Sequence, residues 1–76
     1  MNKILAEKFA NFCYNFDSSL DWIDKIQWGC SEEYMKEKFR RCYDLCGNSG
    51  VMVYFYMSCD AHNRDALLNY INDNVY

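Results

Sequence analysis

Val51-Met52-Val53-Tyr54-Phe55-Tyr56-Met57-Ser58 is the stretch on which the fold turns. It is rich in β-branched and aromatic residues, which fit a pleated surface, and its spacing predicts a strand over about 51–58. In that reading Val51, Val53, Phe55 and Met57 share one face, and Met52, Tyr54, Tyr56 and Ser58 share the other. Both faces are apolar enough to need cover. A lone strand leaves backbone donors and acceptors without partners, and burying them so is costly. Three partners are open: the 25–28 segment of the same chain, a second copy (a homodimer through the 51–58 strand), or a strand of a target protein.

The flanks read as helices. Upstream, Asn48-Ser49-Gly50 is a turn, and before it a helix begins at the capping residue Ser31. Glu32 and Glu33 occupy its first turn, where negative charge meets the positive end of the dipole. Met35, Phe39, Cys42 and Cys46 form its stripe, and Gly47 stands where a left-handed cap belongs. Downstream, Asp60 or Asn63 is placed to cap a last helix with Leu67, Leu68 and Ile71 on its stripe, extended by Val75.

At the amino end, Leu5, Phe9, Phe12, Cys13 and Phe16 mark the core face of a helix over about Lys3–Phe16. Asp17-Ser18-Ser19 stops it. The next segment, Leu20 to Trp28, has two readings. As a helix it places Leu20, Trp22, Ile23 and Ile26 on one side and Asp21, Asp24 and Lys25 opposite. As a strand it alternates with Asp24 as a misfit on one face and Ile23 on the other. The helical reading, through about Gln27 and ended by Gly29, is preferred; a strand limited to 25–28 stays open. The expected fold is a small α+β domain over 1–76, three to four helices packed on a short β element that another segment or another chain completes.

Composition bounds what such a domain does. The 76 residues are 51% hydrophobic and carry a formal charge of −3, the opposite of a disordered composition. Eight basic residues against eleven acidic ones argue against a nucleic-acid binder. A chain of this size buries only about 60% of its unfolded surface, which leaves little room for a deep catalytic pocket. No linker, repeat or low-complexity stretch divides it. Glu7 and Lys8 interrupt the apolar run a signal peptide needs, and no window approaches the roughly 20 apolar residues of a membrane span. The expected setting is the reducing cytoplasm, with Cys13, Cys30, Cys42, Cys46 and Cys59 as free thiols.

Several constellations resemble chemistry. Cys42, Cys46, Cys59 and His62 give C-x3-C, twelve residues, then C-x2-H, a four-ligand spacing. Folding the strand back along the preceding helix would carry Cys59 and His62 toward Cys30 and away from Cys46, so core thiols are the preferred reading. Cys59 to Arg64 is one residue short of a phosphate-cradling C-x5-R loop, lacks a glycine, and places Asp60 beside the thiol. Cys59, His62 and Asp65 could form a nucleophile, base and orienting group, but no oxyanion site accompanies them. The chain is expected not to be an enzyme, and no cofactor is implied.

Charge and aromaticity carry the remaining signal. Asp17, Asp21, Asp24, Glu32 and Glu33 against Lys25 alone give −4 over residues 17–33. Lys36, Lys38, Arg40 and Arg41 against Glu37 give +3 over 36–41. The phenylalanines read as core; the seven tyrosines suit a boundary. Tyr54 and Tyr56, then Trp22 and Trp28 beside the acidic segment, are the leading contact candidates, because Tyr and Trp are enriched at interaction hot spots. The expected function is non-enzymatic protein binding through an acidic, Tyr/Trp-bearing surface that engages a larger protein or complex. A Met-initiated single domain without catalytic equipment suits an accessory factor or inhibitor, including a phage or mobile-element protein that blocks a host defence complex. Two alternatives stand beside it: a zinc- or redox-linked protein using Cys30, Cys59 and His62, and a weak nucleic-acid binder working through 36–41.

Overall fold

Residues 51–58 are helical. A computed structural model describes residues 1–76 and contains no strand: α1 (Lys3–Asn15), a 3₁₀ turn (Asp21–Lys25), α2 (Glu32–Cys46), α3 (Val51–Ser58) and α4 (Ala61–Asn74) follow in order. The α+β expectation is therefore corrected to an all-helical domain, and with the strand goes the homodimer built by strand pairing.

The physical reason lies in the orphan backbone groups. A helix satisfies its own N–H and C=O groups and needs no partner strand. The apolar residues of this stretch also fit the helical period as well as the extended one. Val51, Met52, Phe55 and Cys59, spaced at one, four and eight, are all buried. Once that face is covered, burial outweighs the β preference of the residue types.

An eight-residue helix is too short to hold itself, so its ends matter. No side chain caps Gly50 at the amino end of α3. At the carboxyl end two cations hold the last carbonyls, where positive charge suits the dipole. The Lys38 amine of α2 donates to the Ser58 carbonyl at 2.9 Å. The Arg64 guanidinium of α4 donates through Nε to the Tyr56 carbonyl at 3.2 Å and through Nη2 to Met57 at 2.8 Å.

The other helices start where their caps place them. Asn2, Ser31 and Asp60 each accept from a backbone N–H three residues on: Leu5 at 2.8 Å, Tyr34 at 3.1 Å and Asn63 at 2.9 Å. Gly47 takes φ 71° after α2, a conformation that favours glycine. The segment from Leu20 is helical as preferred, but only as a 3₁₀ turn of five residues, with Ile26 already extended. Leu20 itself is left-handed at φ 69°.

Aromatic rings form the middle of the core in edge-to-face pairs. Phe39 meets Phe16 at 5.5 Å, Trp22 at 5.5 Å and Phe55 at 5.3 Å between centroids. Trp22 also meets Phe12 at 5.1 Å, and Trp28 meets Phe55 at 6.0 Å. Such pairs contribute about 0.5–1.5 kcal/mol each beyond the area they bury. Helix α4 packs along α1, where the Lys8 amine donates to the Asn72 carbonyl at 2.8 Å. No helix is long and apolar enough to cross a membrane.

Candidate functional site

The acidic segment wraps a buried aromatic anchor. The Trp22 indole N–H donates to the Asp17 carbonyl at 3.1 Å, and the Trp28 indole N–H donates to the Ile23 carbonyl at 2.9 Å. Trp22 is only 3% exposed and Trp28 is half-buried. The surface expected to be acidic and Trp-bearing is thus acidic outside and aromatic inside. The tryptophans pin the backbone that carries Asp17, Asp21 and Asp24, all exposed.

Asp17 is held further by its own turn. Its carboxylate accepts the Ser19 N–H at 2.9 Å, and its carbonyl accepts the Leu20 N–H at 3.0 Å. The Ser19 N–H and hydroxyl keep this carboxyl below the usual carboxylate value. Glu32 and Glu33, also exposed, open α2. Asp24 pairs with Lys36 at 3.0 Å, the one ion pair in the molecule. That hydrogen bond, with further attraction from Glu33 and Asp21, raises the Lys36 ammonium above its ordinary value. Asp24 alone contacts Lys36, and that pair ties the 3₁₀ turn to α2, with Glu32 and Glu33 exposed at the start of the same helix.

The basic run does not form a matching face. Lys36 is turned into the acidic side and Lys38 is spent on the end of α3. Arg40 and Arg41 remain exposed. Arg40 borders a 400 Å³ groove floored by Phe16, Leu20 and Phe39.

The tyrosines divide. Tyr54 is 46% exposed. Tyr56 is half-buried, edge-on to Phe9 at 5.2 Å and beneath the Arg64 guanidinium at 5.6 Å. Along α2, Lys36 reaches the 3₁₀ turn and Lys38 reaches the end of α3, so the two neighbours of this helix are held by different lysines. The residues missed by the strand reading are Val53 and Met57. In a helix they fall opposite the buried set, and they are 52% and 62% exposed. The sequence shows a run apolar on both strand faces; the helical period turns part of that run outward as Val53 and Met57.

The thiols are unpaired. Cys42 and Cys59 are buried, and burial pushes the Cys59 thiol up to about 11 and raises Cys13 as well. Cys42 Sγ lies 3.9 Å from Ser58 Oγ. Exposed Cys30 receives Asn63 Nδ2 at 3.8 Å, and the His62 ring lies against Gly29. The fold does bring Cys30 to the start of α4, but no three His, Cys, Asp or Glu side chains are arranged to hold a metal ion. A polar groove of 490 Å³ runs between Lys25–Gln27 and the α4 side chains His62, Asp65, Asn69 and Asp73.

No family model, curated protein or solved structure matches the chain.

Proposed function

We propose that this protein is a non-enzymatic accessory factor or inhibitor that binds a larger protein through its acidic face, acting in a reducing cytoplasm. The observation that carries the reading is the mounting of the acids. Asp17, Asp21, Glu32 and Glu33 are exposed carboxylates without a cationic partner, on a backbone pinned by two indole hydrogen bonds and a capped helix start. A surface that is already ordered loses little conformational freedom on binding, and its field steers a basic partner toward it. The unpaired thiols are consistent with reducing conditions.

The test is capture by the wild-type chain and by an Asp17→Asn, Asp21→Asn, Glu33→Gln variant, with captured proteins identified by mass. The expected partner presents a basic surface, is released as salt rises, and is lost by the variant while helical circular dichroism is unchanged. Equal capture by both chains would sink the reading.

A further inference from the structure

We propose that the groove between the turn before Leu20 and helix α2 is a binding site for a free α-amino acid with a large apolar side chain. The groove measures 400 Å³, inside the roughly 300–1,000 Å³ range of small-ligand sites. Phe16, Leu20 and Phe39 floor it. Exposed Ser18 lines it from the turn, and exposed Arg40 and Asp44 line it from α2.

Charge selects the ligand. Arg40 and Asp44 are four positions apart in the helix, so they share one side of it with Cβ atoms about 5–6 Å apart. Neither takes part in an ion pair. Base before acid is the weaker order for a helical pair, which leaves both groups free for a third party. One cation, one anion and an apolar floor match a molecule that carries an anion, a cation and an apolar group on a single carbon. A free α-amino acid is such a molecule. Its carboxylate accepts from the Arg40 guanidinium, its ammonium donates to the Asp44 carboxylate, and its side chain lies over the floor. A simple apolar anion meets Asp44 as a like charge, and an apolar amine meets Arg40 as one. The end of a peptide carries only one of the two charges beside its terminal side chain.

The floor is set before any ligand arrives. Phe39 is held edge-on by Phe16, Trp22 and Phe55. Leu20 keeps its place at a left-handed φ of 69°, a costly conformation of the kind that gathers at ligand sites. An ordered floor loses little freedom on binding. Leu20 and Phe39 are themselves almost wholly covered, so the apolar contact comes chiefly from half-buried Phe16. The site is accordingly weak, with a Kd of about 1 mM. It uses none of the acids assigned to the partner-binding face, so the two readings stand or fall separately.

Titration of the isotope-labelled chain with L-phenylalanine to about 20 mM, followed by amide NMR shifts, tests the proposal. The expected result is a saturable shift centred on Ser18–Leu20 and Phe39–Asp44. N-acetyl-L-phenylalanine lacks the ammonium, L-phenylalaninamide lacks the carboxylate and glycine lacks the side chain; each should bind at least tenfold more weakly. Arg40→Met and Asp44→Asn should each weaken L-phenylalanine at least fivefold with helical circular dichroism retained, since both side chains are exposed. Arg41→Met, outside the groove, should leave binding unchanged. No saturable shift, a shift centred elsewhere, equal binding of the acetyl or amide form, or undiminished binding by the folded Arg40 and Asp44 variants would each overturn the proposal.

Discussion

The side-chain carbonyl of Asn63 accepts the backbone N–H of Gly29 at 2.8 Å, joining the start of α4 to the loop before α2 across thirty-four positions of chain. Asn63 is the one buried polar residue, and its amide nitrogen turns toward Cys30 Sγ. Asn63→Ala should lower stability by about 1–3 kcal/mol, because it leaves a part-buried N–H without an acceptor. Asn63→Asp keeps the acceptor and should cost less. Urea melts of the two variants check the order, and an alanine variant as stable as wild type would remove this contact from the account.

Leu20 is buried yet left-handed, a combination rare for a branched side chain. The conformation costs about 1–2 kcal/mol and is held by the Asp17 turn on one side and the Ile23 N–H on the other. Leu20→Ala loses the burial and keeps the strain, and should cost about 2–3 kcal/mol. Leu20→Gly loses the burial and relieves the strain. Glycine should therefore be the milder substitution by about 1 kcal/mol, the reverse of the usual order in a helix. Thermal melts showing alanine clearly ahead would contradict the strained geometry.

Three neighbouring aromatics of α3 should respond in three different ways. Phe55→Ala empties the centre of the ring cluster and should cost about 3–5 kcal/mol, enough to unfold a domain this small. Tyr56→Ala loses its contacts with Phe9 and Arg64, for an intermediate loss. Tyr54→Ala, at a half-exposed position, should stay within about 0.5 kcal/mol of wild type. The ranking is read from denaturant midpoints.

Stability should show two pH limbs with separate owners. Cys59 is held at about 11 against an ordinary 9.0. The native state keeps a proton that the unfolded chain releases, so stability falls as pH rises from about 9 to about 11. Asp17 works in the other direction. Its folded value lies below the ordinary 3.8, so its contribution is present above that pH and fades as pH falls through the folded value. Cys59→Ala should shrink the alkaline limb without abolishing it, since Cys13 and Lys36 are raised as well, and Asp17→Asn should soften the acid one. In the native state, alkylation at pH 8 should mark exposed Cys30 well before Cys42 or Cys59.

Much of this architecture was legible in the residues. Ser31, Asp60 and Gly47 each end or start a helix where local chemistry places them, because capping is decided within three or four positions. The stripes of α1 and α2 were legible for the same reason. Residues 51–58 were not, since a run apolar on every side fits both periods and only the neighbouring helices choose between them. The acids of 17–33 are where the charge pattern put them. Trp22 read as a contact residue by its type, whereas its place beside Leu20, Ile23 and Ile26 in the helical reading marked it as core. Burial depends on what arrives from elsewhere in the chain, and no local pattern carries that.

The clasp at the end of α3 has a consequence for the chain before it is folded. Arg64, which holds two of the three terminal carbonyls, lies downstream of the helix it secures. During synthesis Val51–Met57 therefore emerges uncharged, proline-free and rich in strand-forming residues, with Lys38 already made but the Arg64 part of its clasp still to come. That composition is the one that nucleates cross-β association between chains. The arrival of α4 does more than complete the bundle: it closes the interval in which this segment is an aggregation hazard.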